Sequence, residues 1–459
     1  MMGWAIATHV GLWAWRATLG VMLAWLPGCA TSAGHYAILE QQLARHDYAA
    51  ADAMVAQHVE SYGQRNAALY YLDRGLTLHL AGRYAESNAF LTRAEERIEA
   101  LYTKSITTGV GALLTNDALL PYEGEDFEKV QLNLFMALNY VYLGQLDEAL
   151  VEARKIDLKL TAYSRQYATK PVYKEDAFAR YLSGILYEVR GELNDAFIAY
   201  RKALDAYHTY QQDYGTMVPP TLPADILRVT EALGLREEYA TYRRQFPEVA
   251  YDTLATLRER GEIIYISYHG FAPFKQSAVL ALPVPGSSRR PLHLVQLAFP
   301  ALVPRPSGIA YAQLSATGAG QRYTTQTHLV QDVTAIASKD LQDRLGRVSA
   351  KTLARAATKY SVARGLEEGV RLGTGNSAAG ILVGVLANLA GVASEQADTR
   401  GWRVLPSAFH LARLPVSPGR YGVVVTYYDP HGRALEGRML CEIMLQAGAR
   451  IFVSSHLIR

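Results

Sequence analysis

Cysteine is nearly missing from this chain, with two in 459 residues, Cys29 and Cys441. That excludes a disulfide framework and any zinc site built on several thiolates. An excess of charge of one sign is missing too. Lys+Arg number 46 and Asp+Glu 43, a net of +3, which argues against a dedicated nucleic-acid binder. Disorder on a large scale is excluded, because half the residues are apolar and only 19% are charged. Catalytic signatures are equally sparse. The sequence has no Walker loop and no His-Glu-x-x-His. Gly373-Thr374-Gly375-Asn376-Ser377-Ala378 follows a helical pattern rather than a strand, so it is a poor dinucleotide loop. Gly375-Asn376-Ser377-Ala378-Ala379 falls one residue short of a nucleophile elbow. His269, His293, His328, His410, His431 and His456 lack ligand spacing. The residues therefore offer no catalytic residue, metal site or cofactor site.

The N-terminus carries an address. Residues 1–28 hold one charged side chain, Arg16, and an apolar stretch from Ala17 to Leu26. These are features of a secretory signal. Leu26-Pro27-Gly28-Cys29 resembles the lipobox of bacterial lipoproteins. The resemblance implies cleavage before Cys29 and lipid on its sulfur and amine. With Ala30 next, it implies transfer to the outer membrane. Residues 29–34 read as a small-residue tether. The alternative is an uncleaved anchor over Gly3–Leu26. Cys441, flanked by Met439, Leu440, Ile443 and Met444, reads as a buried small hydrophobe.

Charge divides the remainder into halves. Residues 35–250 hold 22 Lys+Arg against 30 Asp+Glu, a net of −8. Residues 251–459 hold 23 against 13, a net of +10. Either the halves dock on each other, or the basic half meets an anionic surface such as lipid headgroups or cell-wall polymer.

The acidic half is helical in period and repeats a turn. One copy reads Gly75…Leu78…Gly82-Arg83-Tyr84…Leu91…Ala94. The next reads Ala137…Tyr140…Gly144-Gln145-Leu146-Asp147-Glu148-Ala149, and a third Gly184…Tyr187…Gly191-Glu192-Leu193-Asn194-Asp195-Ala196. Degenerate copies turn at Gly234 and near His46. The pattern resembles the tetratricopeptide repeat, and the resemblance implies an all-α solenoid over 35–250 that binds protein partners on its concave face. Turn glycines lie 62, 47 and 43 residues apart. The repeat itself is about 34 residues. Insertions are therefore expected at 103–127, 163–174 and 207–222. Most of the tyrosines, among them Tyr181 and Tyr200, should fill the core of the helix pairs.

The basic half, 251–459, reads as a β-sandwich-like domain with a helical insertion at about 332–397, making the whole an α+β chain. Strand patterns cover 263–268, 278–282, 292–299, 309–314, 323–330, 408–414, 421–428, 438–445 and 451–456, with a turn at Asp429-Pro430-His431-Gly432. Inside the insertion, Arg347, Lys351, Arg355 and Lys359 recur every four residues and form a basic stripe, lengthened by Lys339 and Arg344. With Lys275, placed by Pro273 in an exposed loop, they are candidates for anion or partner binding. Residues 372–394 carry no charge but hold five glycines. They read as a buried Gly/Ala-rich helix or as a membrane-inserting one.

Several segments together resemble a family of bacterial tetratricopeptide-repeat envelope lipoproteins of poorly defined function. They include Tyr122-Glu123-Gly124-Glu125-Asp126-Phe127-Glu128, His269-Gly270-Phe271-Ala272-Pro273-Phe274-Lys275, Glu395 through Trp402, and Leu414-Pro415-Val416-Ser417-Pro418-Gly419-Arg420-Tyr421. The resemblance implies a lipid-anchored periplasmic scaffold without a catalytic residue, associated loosely with cell-wall synthesis factors. The alternatives are an enzyme acting on cell-wall polymer and an assembly factor that inserts 372–394 into a membrane.

Overall fold

A computed structural model describes residues 30–107, 120–166, 173, 175–284, 293–318, 320–344 and 397–459. Helices come first. They are α1 Ala30–Ala44, α2 Tyr48–Gln57, α3 Val59–Tyr62, α4 Ala67–Leu80, α5 Tyr84–Thr107, α6 Asp126–Tyr142, α7 Leu146–Gln166, α8 Ala177–Arg190, α9 Leu193–Asp213, α10 Thr221–Ala232, α11 Arg236–Gln245 and α12 Leu254–Glu259. Successive helices pair, and the small residues seen in the sequence explain how closely. A Cβ added to Gly75 on α4 would lie 2.4 Å from Leu91 on α5. One added to Gly184 on α8 would lie 2.3 Å from the Tyr200 ring on α9. The large side chain of each second helix thus seats on a bare backbone in the first. Gly144 and Gly191 end α6 and α8 with φ of 74° and 86°, a region only glycine enters cheaply. His46 makes the same turn between α1 and α2 at φ 58°. The helical half is a TPR-like array. Expected insertions are partly helical, since α5 runs on to Thr107 and α9 to Asp213.

Strands follow from Gly261. They are β1 Gly261–His269, β2 Phe274–Val284, β3 His293–Val303, β4 Tyr311–Gly318, β5 Gln321–Gln326, β6 His328–Asp332, β7 Ala408–Val416, β8 Gly419–Tyr428, β9 Ala434–Leu445 and β10 Arg450–Leu457. One sheet has the order β10-β1-β7-β6, another β5-β4-β8-β9. β1 pairs parallel with β10 and antiparallel with β7. The single strand expected at 323–330 is two. The chain leaves one sheet for the other at Thr327, whose hydroxyl takes the Ala312 N–H at 2.9 Å while its own N–H reaches the Ala312 carbonyl. The Asp429 carboxylate organises the β8–β9 turn by accepting from the N–H groups of His431 and Arg433. Helix α13, 333–344, starts where Asp332 accepts from Ala335 N.

Alternation along β1 explains the layering. Ile263 and Tyr265 enter a core shared with Leu314, Val423 and Val425 of the opposite sheet. Ile264, Ile266 and Tyr268 enter a larger core shared with helices α1–α10. Every residue of β1 is buried. The expected sandwich exists, but one of its sheets is also the floor of the helical array. β2 and β3 pair with each other over eleven residue pairs, from Phe274↔Val303 to Val284↔His293. Among the described residues they form a separate two-stranded sheet.

Candidate functional site

Helical repeat arrays form an extended concave face that can receive a partner. Here that face is filled by the chain's own β half. Tyr268 of β1 sits against Phe135 of α6 and 3.2 Å from His79 Nε2 of α4. Phe409 of β7 packs on Phe135 and Phe178. Trp402 packs on Phe135 and donates its backbone N–H to Glu128. Gln331 of β6 donates to Asp176 at 2.9 Å. The concave face expected to recruit a partner is therefore occupied. The sequence hid this because each half supplies only one side of a shared core.

Charge pins the docking. Arg413 on β7, 4% exposed, reaches Asp225 at 2.7 Å, Glu262 at 2.7 Å and Glu188 at 3.4 Å. Arg228 binds Glu188 at 2.9 Å and also pairs with Asp225. Arg450 binds Glu188 at 3.1 Å. Three guanidiniums thus balance three carboxylates. Burial opposes ionisation of Glu188, but Arg228 and Arg413 outweigh it and hold its carboxyl well below the usual range. Glu262 is lowered in the same contest between burial and Arg413. None of these residues was singled out from the sequence. The available signal was a charged residue inside an apolar run, Arg413 between Ala412 and Leu414 and Glu188 in Ile185-Leu186-Tyr187-Glu188-Val189.

Lys275 was expected on an exposed loop. Instead it opens β2, largely buried, and its ammonium pairs with Glu125. Arg344 pairs with the same carboxylate and, at 3.1 Å, with Asp340. Glu125 stands at the capping box of α6 with Glu128, so an acidic helix start collects the cations of the basic half. Lys339 pairs with Asp343 at 2.7 Å. Cys29, Arg347, Lys351, Arg355, Lys359 and segment 372–394 lie outside the described residues. Cys441 is half-buried on β9 rather than buried, and burial raises its thiol.

A polar cluster lies inside the β half. Ser267 Oγ is 2.8 Å from His269 Nε2, and the His269 ring stacks on His410 at 4.2 Å. All three side chains are buried. Burial lowers His410 to about 3 and His456 to about 3. On the helical side burial lowers His79 to about 4, against a 2.6 Å hydrogen bond with Asn139. Among the described residues no group of three His, Cys, Asp or Glu is placed to hold a metal. No described helix is long and apolar enough to cross a membrane.

The outer surface of the array is different. A groove of ≈ 350 Å³ between α7 and α9 has Arg180, Ser183 and Tyr187 of α8 in its lining. Leu158 and Ile198 line it while 68% and 42% exposed. Arg154 and Lys202 stand with Asp157 and Asp195 along it. Exposed apolar groups that gather in a groove mark contact sites more often than single ones do.

No protein-family model and no curated protein matches the chain. Solved structures are similar over about half of the chain. MamA matches with a TM-score of 0.29 and 15% identity, over 46% of this chain and 93% of that one. BtubC (BKLC) from P. vanneervenii matches with a TM-score of 0.32 and 12% identity, over 47% and 78%. A Podosopora anserina kinesin light chain with TPR-like repeats matches with a TM-score of 0.30 and 11% identity, over 47% and 93%. Scores this low carry no functional weight. The TPR-like assignment rests on the glycine-to-side-chain seating of the helix pairs.

Proposed function

We propose that the protein is a lipid-anchored adaptor of the bacterial envelope. It is tethered through Cys29 at the periplasmic face of the outer membrane and recruits an envelope protein to the outer groove of its repeat array. The observation that supports this reading is the pairing of a filled inner face with an outer groove exposing Leu158 and Ile198. The β half is the array's internal ligand and makes it a rigid platform. The basic stripe Arg347, Lys351, Arg355 and Lys359 belongs to the same reading as a contact to an anionic envelope component, and the role in cell-wall biogenesis rests on the sequence resemblance alone.

The test is crosslinking in intact cells, followed by purification through a C-terminal tag. Wild type is compared with Leu158→Asp and Ile198→Asp. Both side chains are substantially exposed, so thermal stability should change little, while one specific adduct is lost. If both variants retain every wild-type adduct, the groove is not the recruiting surface and the adaptor reading loses its support.

A further inference from the structure

Among the described residues the sheet edges are protected, with β2 as the exception. β9 breaks its register with β8 at two places, and β10 runs beside β9. β5 is six residues long, carries Arg322 and lies against β7. β6 is five residues long and shifts its register against β7. Edges that are short, charged, bulged or covered resist pairing with another chain. β2 has none of these devices over Gln276–Leu282. The strand is eleven residues long and keeps an unshifted register with β3. After Lys275 the next charge is Arg289, beyond the end of the strand. Pro283 closes the stretch, because it has no N–H to donate.

Burial says which strand of the hairpin is open. Gln276, Ser277, Ala278 and Val279 are all exposed, Val279 at 52%. Successive side chains of a strand face opposite ways. Four exposed in a row therefore leave both faces of this part of β2 uncovered. Across the ladder, Leu297 and Ala298 of β3 are 3% and 2% exposed. β3 is the covered strand and β2 the free edge, with a row of backbone N–H and C=O groups turned outward.

We propose that β2 pairs antiparallel with β2 of a second copy of this chain, over Gln276–Leu282. The two-stranded β2–β3 sheet then becomes half of a sheet of order β3-β2-β2-β3. Such a pair of strands is marginal in water and gains stability from further strands. Charge argues for a copy as the occupant. Two-fold pairing brings each strand against itself, so any charge near the axis meets its like. Gln276–Leu282 has none. A foreign strand is selected by charge or by side-chain pockets beside the edge, and the small exposed Ser277 and Ala278 form no pocket. Symmetry also fixes the geometry. Residues directly opposite in an antiparallel ladder point to the same face, so a two-fold pair must set one residue opposite itself.

Sedimentation of the full chain over a range of concentrations reads the dimer. Val279→Lys sets like charges against each other and should weaken it at least about tenfold. Val279→Thr keeps a β-branched side chain and should preserve it. Val279 is 52% exposed, so neither substitution should change thermal stability much. Oxidative crosslinking reads the register. Gln276→Cys, Ser277→Cys, Ala278→Cys and Val279→Cys are compared in a Cys441→Ser chain, with the parent setting the background from Cys29. One position, the residue opposite itself, should crosslink most, because only there do the two Cα atoms fall within disulfide reach. Thr324→Cys on the exposed edge of β5 is the control. A dimer weakened by Val279→Lys, kept by Val279→Thr and trapped best at one β2 position supports the pairing. A monomer that crosslinks no more than the parent overturns it. So does a dimer indifferent to Val279→Lys, or one trapped best through Thr324→Cys.

Discussion

Removal of Arg413 tests whether charge locks the β half onto the helices. Its guanidinium touches Glu188, Asp225 and Glu262, all buried. Arg413→Met leaves the two guanidiniums of Arg228 and Arg450 facing three carboxylates. Breaking a buried pair from one side costs ~3–5 kcal/mol, because the stranded charge stays desolvated. Urea unfolding at neutral pH, followed by far-ultraviolet circular dichroism, should show a loss of that size. The pH dependence carries a sign. Glu188 and Glu262 have folded pKa values below the ordinary 4.5. Their stabilisation is present above that value and is lost as pH falls below it, through their depressed folded values. Without Arg413 that stabilisation is already reduced, so the deficit of the variant shrinks as the pH is lowered below 4.5. Arg413→Met with Glu262→Met removes a charge of each sign and should recover much of the loss. A loss below about 1 kcal/mol, the scale of a surface pair, would refute the lock. So would a deficit that does not change with pH.

Two further outcomes follow from local geometry. Gly184→Ala places a carbon 2.3 Å from the Tyr200 ring and should cost about 1–3 kcal/mol in urea unfolding; a neutral result would mean that the close helix contact is absent. His410 is buried, stacked on His269 and near His328, and its folded pKa lies at about 3 against 6.5 unfolded. Each such histidine costs the fold about 1.4 kcal/mol per pH unit as pH drops below the unfolded value. His410→Asn should therefore flatten the stability curve between pH 6.5 and about 3, and parallel curves for variant and wild type would count against a buried neutral His410.

Much of the architecture was legible because it is local. Gly75 and Gly184 stand where a helix admits a neighbour's side chain, and the turn glycines Gly144 and Gly191 mark where helices end. Strand alternation located β1, β7 and β8 to within a few residues at each end. The break at Thr327 was not legible, since nothing in 323–330 interrupts the strand period. It is set by the pairing of Thr327 with Ala312, fifteen residues upstream. Lys275 was misplaced for a related reason. Proline at 273 marks a loop correctly, yet the burial of Lys275 depends on Glu125, 150 residues earlier. The split into an acidic and a basic half did point toward docking, and Arg413, Arg450 and Lys275 now give it atoms. The split could not say that the basic half enters through a sheet, because one face of β1 fills a core of the β half alone while the other enters a core shared with the helices.

The central claim is that the β half fills the inner face of the helical array and that neither half is complete without the other. The most direct measurement is complementation between residues 30–259 and 260–459, produced separately and mixed. The predicted result is that the helical fragment alone lacks a cooperative thermal transition and gains one, with a one-to-one complex, on adding the β fragment. A helical fragment that melts cooperatively by itself at the temperature of the full chain, and ignores the β fragment, would contradict the account.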